Sequence, residues 1–439
     1  MTKEKFGVIT EEVPERAVLV GIDRGDAAWP LEESLDELER LANTAGAQVV
    51  CRLSQRLDAP NPRTFIGQGK AAELVDVVRS LHADLVILDD ELTPSQQGNL
   101  EKLVGKPVKV IDRTALILDI FALHATSKEG RLQVRLAQNQ YLYPRLRGMW
   151  SHLAAHRMGG GVGSRFGEGE SQLEVDRRLV RKRIAHIRQE LKALSSSRAT
   201  QRKHRNVSGI FRIALAGYTN AGKSSLMNRL TGEDLLAYDK LFATLDSTTR
   251  QLVLPSGFKA TLTDTVGFIQ KLPHTLVEAF HSTLDEVREA HLILLVADVA
   301  SAQRDAQLAA VRDVLGQIGA AHIPTLTVYN KVDLMADDGA GSSRDAELAH
   351  LKELDSQGIF VSAKTGEGVE ELLAQVERHV LGANPRMDVL VPYTMGKLVD
   401  RAHETCIVLD ESYCERGTRL SMRVPENLVP VFAPYEERG

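Results

Sequence analysis

Cysteine is scarce in this chain: Cys51, Cys406 and Cys414 are the only three in 439 residues. They are odd in number and show no metal-ligand spacing, which excludes a disulfide scaffold and points to a reducing compartment. Long apolar runs are also missing. The longest, around Leu292 to Val299, is too short to span a bilayer. Met1-Thr2-Lys3-Glu4-Lys5 leads into no apolar signal segment. The expectation is a cytoplasmic protein with no membrane partner. A net charge of −5 gives no general affinity for polyanions, so any nucleic-acid argument must rest on local charge. No internal repeat is visible, and the length allows two to four domains, each with its own core.

What is present is organised around Gly217-Tyr218-Thr219-Asn220-Ala221-Gly222-Lys223-Ser224. The apolar run Phe211 to Ala216 precedes it, and Ser225 to Leu230 reads as a helix. Strand, glycine loop and helix together make a P-loop, in which backbone N–H groups and the helix dipole face a phosphate. Lys223 can reach the outer phosphates and the Ser224 hydroxyl can ligate Mg²⁺.

Four further motifs follow in order. Phe242-Ala243-Thr244-Leu245-Asp246 supplies a loop threonine that can bring its hydroxyl and carbonyl to Mg²⁺ when a γ-phosphate is present. Asp264-Thr265-Val266-Gly267 ends a strand: Asp264 suits Mg²⁺ through a bound water, and the Gly267 N–H suits the γ-phosphate. Asn330-Lys331-Val332-Asp333 ends another strand, and its carboxylate can accept from N1 and N2 of guanine, a donor pair that adenine lacks. Ser362-Ala363-Lys364 follows Ile359-Phe360-Val361 and offers a backbone N–H to guanine O6. Five such motifs, each at the carboxyl end of an expected strand, predict GTP and GDP as ligands. Lys223, Thr244 and Gly267 are the candidate catalytic residues. Phe268 stands where Ras-like GTPases carry the glutamine that orients water, so the water-positioning site is non-polar here.

Before these motifs, strands at Ala17–Gly21, Val49–Val50, Leu85–Leu88 and Val108–Ile111 alternate with helices at Leu31–Ala45, Ala71–Leu81 and Gln96–Val104, which predicts a mostly parallel sheet. Phe65-Ile66-Gly67-Gln68-Gly69-Lys70 reads as a turn in preference to an anion site. Gly130 to Gly167 contains no Asp or Glu but holds Arg131, Arg135, Arg145, Arg147, Arg157 and Arg165, with Tyr141, Tyr143, Trp150 and Phe166 between them. Arginine with aromatics and no acid favours an RNA-contacting surface over a solvated basic face. Val180, Ile184, Ile187, Leu191 and Leu194 then form a heptad seam. Residues 172–205 carry eleven Lys and Arg against Glu174, Asp176 and Glu190. Arg145, Arg147, Arg157, Arg165, Arg177 and Arg178 are the candidate RNA contacts. Ser195-Ser196-Ser197 is expected to end the helix, with a linker from Arg198 to Ser208.

The motifs at 242–246 and 264–269, the turn at 65–70, Leu132-Gln133-Val134 and Gln172 to Arg178 resemble the HflX family of TRAFAC-class GTPases up to about residue 382. Ser171 and Val175 depart from it where the family pattern has threonines. The resemblance implies an α/β protein: an N-terminal α/β domain (1–125), a basic Gly-rich loop and helical hairpin (126–208), a Ras-like P-loop GTPase domain (209–382) with a mixed, mostly parallel sheet covered by helices on both faces, and a small α+β C-terminal domain (383–439). It also implies GTP hydrolysis with Mg²⁺ by a monomer that binds the large (50S) ribosomal subunit and its rRNA and splits stalled or idle ribosomes. ATP binding by the N-terminal domain is reported in some members, but no second P-loop is present. Two other functions remain open: a GTPase of RNA processing or small-subunit assembly, and a GTP-gated binding module whose hydrolysis is too slow to matter.

Overall fold

The computed structural model describes residues 14–25, 29–155, 166–207, 210–232, 241–242, 247–271, 281–335, 343–425 and 428–437. At 147–155, 166–173, 195–207, 281–283 and 343–346 it describes the backbone alone. Contacts divide the chain into two compact units, residues 1–123 with 137–184 and residues 124–136 with 185–439. Among the described residues no helix is long and apolar enough to cross a membrane.

In the first unit the alternating pattern becomes β1 (Arg16–Asp23), α1 (Leu31–Thr44), β2 (Gln48–Arg56), α2 (Gln68–Ser80), β3 (Leu85–Leu88), α3 (Pro94–Val104), β4 (Lys109–Asp112) and α4 (Arg113–His124). The strands run in the order β2-β1-β3-β4 and every pair is parallel. Val18, Val20, Val86, Leu88 and Val110 face one core with Leu74 and Leu100 of the covering helices. Helix α4 was not expected. Its first residue, Arg113, is buried against Glu37 of α1 and 2.7 Å from Asp89 Oδ1, and Ser34 Oγ donates to Asp89 Oδ2 at 2.7 Å. The expected turn at 65–70 is shorter than that: Phe65 to Gly67 lead into α2, and Gln68 to Lys70 are its first residues, with Lys70 half-buried. The Gly67 N–H donates to Gln55 Oε1 at 2.9 Å and Lys70 pairs with Glu73 at 2.8 Å.

The arginine-rich stretch folds mainly as helix: α5 (Lys128–Ala155) and α6 (Phe166–Val207). Tyr143 of α5 lies under the guanidinium groups of Arg177 and Arg181 of α6. Along α6, Ile187 is buried and Val180, Ile184, Leu191 and Leu194 are half-buried, while Arg178, Lys182, Arg183, Arg188 and Lys192 are exposed. The helix does not stop at Ser195–Ser197 but continues through the segment expected to be a linker. Serine is only mildly unfavourable inside a helix, and no Gly or Pro lies between Arg198 and Val207 to end it.

Arg145 corrects the sequence reading. It is buried, not presented to a partner: Nε donates to Gln97 Oε1 at 3.1 Å, Nη1 to the Tyr141 carbonyl at 3.0 Å, and Nη2 to the Leu92 carbonyl at 2.6 Å and Asp112 Oδ2 at 3.2 Å. Asp112 is fully buried and has its other ties to the Leu92 and Ala115 N–H groups. Arg145→Glu would place two carboxylates together out of water. Breaking such a pair costs about 3–5 kcal/mol, so the variant is expected to unfold at markedly lower denaturant while Arg178→Glu does not. Equal midpoints for Arg145→Glu and the parent would refute the buried pairing. Arg157 and Arg165 lie outside the described residues, as does the side chain of Arg147.

The second unit is built on a six-stranded sheet. Its elements are β5 (Arg212–Gly217), α7 (Lys223–Thr231), β6 (Thr248–Val253), β7 (Lys259–Asp264), α8 (His281–Arg288), β8 (Leu292–Asp298), α9 (Arg304–Gln317), β9 (Thr325–Asn330), α10 (Ser343–Leu354), β10 (Ile359–Phe360) and α11 (Val369–Ala383). The order is β10-β9-β8-β5-β7-β6, parallel throughout except for the β6–β7 pair. Ile213, Leu215, Leu262, Leu294 and Val328 fill its core with Leu226 and Met227 of α7. The continuous apolar runs of β5 and β8 are those of strands covered on both faces. The chain closes with β11 (Arg386–Val391), α12 (Gly396–Thr405), β12 (Ile407–Cys414), β13 (Gly417–Arg423) and α13 (Val429–Phe432). This is the expected small α+β module, an antiparallel sheet in the order β11-β13-β12 around Val389, Leu420 and Phe432.

Candidate functional site

The sheet carries four of the sequence motifs, Gly217–Ser224, Asp264–Gly267, Asn330–Asp333 and Ser362–Lys364, out at its carboxyl edge, the side on which open α/β sheets bind ligands. Strand β5 runs into Gly217 and the phosphate loop, and α7 begins at Lys223 with Gly222 as its N-cap. Gly222 has φ +89°, and a Cβ there would lie 2.2 Å from Asn330 Nδ2. Only glycine satisfies both the left-handed backbone and that contact. Asn330, at the end of β9, donates through Nδ2 to the Ala221 carbonyl at 2.9 Å and accepts from the Ala363 N–H at 3.0 Å. One buried amide therefore binds the phosphate loop to the loop after β10.

Lys223 is buried and donates from Nζ to the Gly217 carbonyl at 3.1 Å and the Tyr218 carbonyl at 2.9 Å. Burial lowers its pKa to about 8, partly opposed by the nearby Asp264 carboxylate. An ammonium held by neutral carbonyls is a poor resting place for a charge, and a polyphosphate would draw it off. Ser224 Oγ donates to Asp264 Oδ2 at 2.6 Å. A hydroxyl and a carboxylate facing each other form the hard-oxygen pair that Mg²⁺ takes when phosphate and water complete its shell. Among the described residues no cluster of three or more His, Cys, Asp or Glu could hold a metal. The Ser224 hydroxyl and Asp264 carboxylate supply two hard oxygens, a donor set that fits an ion whose remaining positions are filled by phosphate and water.

The Asp264–Gly267 segment is fastened to the phosphate loop beyond what spacing could show. The Phe268 N–H donates to the Gly217 carbonyl at 3.1 Å, and the Thr219 N–H donates to the Phe268 carbonyl at 2.7 Å. The Gln270 N–H meets the Tyr218 hydroxyl at 2.7 Å, and Thr265 Oγ1 donates to the Leu215 carbonyl at 2.6 Å. Gly267 packs so closely that a Cβ would lie 2.9 Å from Thr219 Cγ2 and 3.1 Å from Lys223 Nζ. Val266 and Phe268 are buried. Phe242 is buried with φ +58°, whereas Ala243, Thr244, Leu245 and Asp246 lie outside the described residues.

At the Asn330–Asp333 motif, Val332 is buried and Lys331 has φ +70°, with Nζ 2.8 Å from Asp298 Oδ2. Asp333 Oδ1 accepts from Ser362 Oγ at 2.6 Å. Ala363 and Lys364 follow in a loop whose carbonyls both accept from Arg229 of α7. Sequence reading missed Asp298 and Arg229. Asp298 closes β8, so its position at a strand's carboxyl end was the available signal. Arg229 carried none, because its partners lie 134 residues away for the nearer contact.

Three family models match along the chain: one described as GTP-binding GTPase N-terminal over residues 32–122, one as GTP-binding GTPase Middle Region over 124–205, and one as 50S ribosome-binding GTPase over 212–331. The GTPase HflX of Caldanaerobacter subterraneus subsp. tengcongensis is 46% identical over 427 residues, covering 97% of this chain and 95% of that protein. The GTPase HflX of Escherichia coli K12 is 40% identical over 394 residues, covering 90% of each. Among solved structures, a GTP-binding protein from the hyperthermophilic archaeon Sulfolobus solfataricus in complex with GDP matches with 24% identity and a TM-score of 0.42, over 83% of this chain and 98% of that one.

Proposed function

The chain belongs to the HflX family of GTPases, and from that premise we propose that it is a GTP-driven factor of the large (50S) ribosomal subunit that separates stalled or idle ribosomes. Phe268 is the observation that carries this reading. The residue after Gly267 is buried, apolar and bonded on both sides of its peptide to the phosphate loop, so it brings no polar group to an attacking water. Hydrolysis then needs an external surface to complete the site, and an RNA-rich particle suits the basic face of α6. The description of the matched model for residues 212–331, 50S ribosome-binding GTPase, supports the large subunit as that particle.

In this proposal Lys223 leaves the Gly217 and Tyr218 carbonyls for the outer phosphates. The Gly267 N–H reads the γ-phosphate, and Asp333 with the Ser362–Lys364 loop reads guanine. Ser224, Thr244 and, through water, Asp264 would hold Mg²⁺, which when bound supplies positive charge to the outer phosphates. Hydrolysis after docking acts as the release step.

Sedimentation with whole ribosomes and with separated subunits tests the partner. The protein should pellet with large subunits in a non-hydrolysable GTP analogue and much less in GDP. Binding should weaken steeply with salt, since each phosphate contact releases counterions from the RNA and that release is less favourable at higher salt. Arg178→Glu with Lys182→Glu, both exposed on α6, is expected to reduce the slope of log affinity against log salt by about 1.5–2 with GTP binding intact. Pelleting with small subunits instead would support the RNA-processing or assembly reading and remove this one, and a flat salt dependence would remove RNA backbone contact from both.

A further inference from the structure

Arg229 sits in the last turn of α7, the helix that starts at the phosphate loop, yet its side chain grips the base loop. Nε donates to the Ala363 carbonyl at 2.9 Å, and Nη2 donates to the Lys364 carbonyl. One planar guanidinium holding two successive carbonyls fixes two successive peptide planes. In a trans peptide the N–H points opposite to the carbonyl. The Lys364 and Thr365 N–H groups are therefore both turned away from Arg229.

The other amides of this loop are engaged. The Thr365 N–H meets Ser362 Oγ at 3.1 Å, and that hydroxyl donates to Asp333 Oδ1 at 2.6 Å. The Ala363 N–H goes to Asn330 Oδ1 at 3.0 Å, the Ser362 N–H to the Glu367 carbonyl at 2.9 Å, and the Gly366 N–H to the Ser362 carbonyl at 2.8 Å. Among the described residues that leaves the Lys364 N–H for a ligand. It belongs to the peptide plane that Arg229 holds by the Ala363 carbonyl.

We propose that Arg229 is a positioning residue for base selection, which aims the Lys364 N–H at the O6 acceptor of guanine. The assignment rests on reading Asn330–Asp333 and Ser362–Lys364 as the guanine site. It makes α7 a rigid link whose first turn faces the phosphates and whose last turn sets the purine's 6-position. Arg229 is exposed, so its removal opens no cavity in the core, and the fork geometry explains why a lysine would be a partial substitute.

The test compares GDP with 6-thio-GDP, which keeps the N1 and N2 donors read by Asp333 but presents a weak sulfur acceptor at C6. Full-length parent, Arg229→Ala and Arg229→Lys are measured by equilibrium binding, with IDP reporting the Asp333 edge. The parent should prefer GDP over 6-thio-GDP by about tenfold, as a lost hydrogen bond to a buried site group predicts. Arg229→Ala should lose about tenfold for GDP and less than about twofold for 6-thio-GDP, while its GDP/IDP ratio stays within about twofold of the parent. Arg229→Lys should fall between, retaining the charge and one carbonyl contact. Equal losses for GDP and 6-thio-GDP would reduce Arg229 to general support of the loop and overturn the proposal, as would unchanged binding of both. A parent that takes GDP and 6-thio-GDP alike would also overturn the proposal, whereas a parent that takes GDP and IDP alike would remove the guanine-site reading itself, which separates that failure from this one.

Discussion

Large ribosomal subunits are expected to raise single-turnover GTP hydrolysis by the protein about 10³- to 10⁵-fold, the range over which activators complete related sites, while small subunits leave it near the rate of the isolated protein. The expectation comes from the surroundings of Gly267. A glutamine side chain after this glycine would orient water, but Phe268 is 2% exposed and its backbone is bridged to Gly217 and Thr219. Freeing that position would mean breaking two backbone hydrogen bonds and exposing a buried ring, about 2–5 kcal/mol together. Of the cations nearest in sequence, Lys271 follows the segment and Arg250 lies on β6. The isolated protein should therefore bind GTP and turn it over slowly. Stimulation below about tenfold, or equal stimulation by both subunits, would leave a GTP-gated binding module as the better description.

Asp333→Asn is expected to exchange one base for another. Loss of a paired hydrogen bond to guanine N1 and N2 should weaken GTP by about 1–3 kcal/mol, or roughly five- to 150-fold. Xanthosine triphosphate, whose 2-position carries an acceptor, should gain affinity by a comparable factor. The structure indicates why the loop should survive the change. Asp333 Oδ1 is tied to Ser362 Oγ at 2.6 Å, and an asparagine can keep that bond with its amide oxygen while turning its NH₂ to the base. The effect should thus appear in selectivity and not in thermal stability. Competition binding with GTP and xanthosine triphosphate measures it. A variant that ranks the two nucleotides as the parent does would show that Asn330 to Asp333 is not the base site.

Much of this was legible in the sequence because it is local. A phosphate loop needs a strand, two glycines, a lysine and a hydroxyl within eight positions, and Gly217 to Ser224 places them there. Strand alternation in the first unit and the apolar run of β8 were equally readable, since the spacing of buried residues follows directly from backbone geometry. Arg145 shows where that logic ends. A guanidinium suits an RNA phosphate and a buried carboxylate equally well, and nothing within several residues of Arg145 distinguishes them. Asp112, which decides the matter, lies 33 residues earlier at the end of β4.

The sequence by itself determined the nucleotide chemistry, the sheet class and the apolar residue after Gly267, because each depends on residues that the backbone keeps near one another. Tertiary structure alone decided that Arg145 is structural, how Asn330 joins the phosphate loop to the loop after β10, and that Arg229 reaches Ala363 and Lys364. Those outcomes depend on hydrogen-bond partners brought together across the fold. Such bonds act over about 3 Å in space, whatever the separation along the chain.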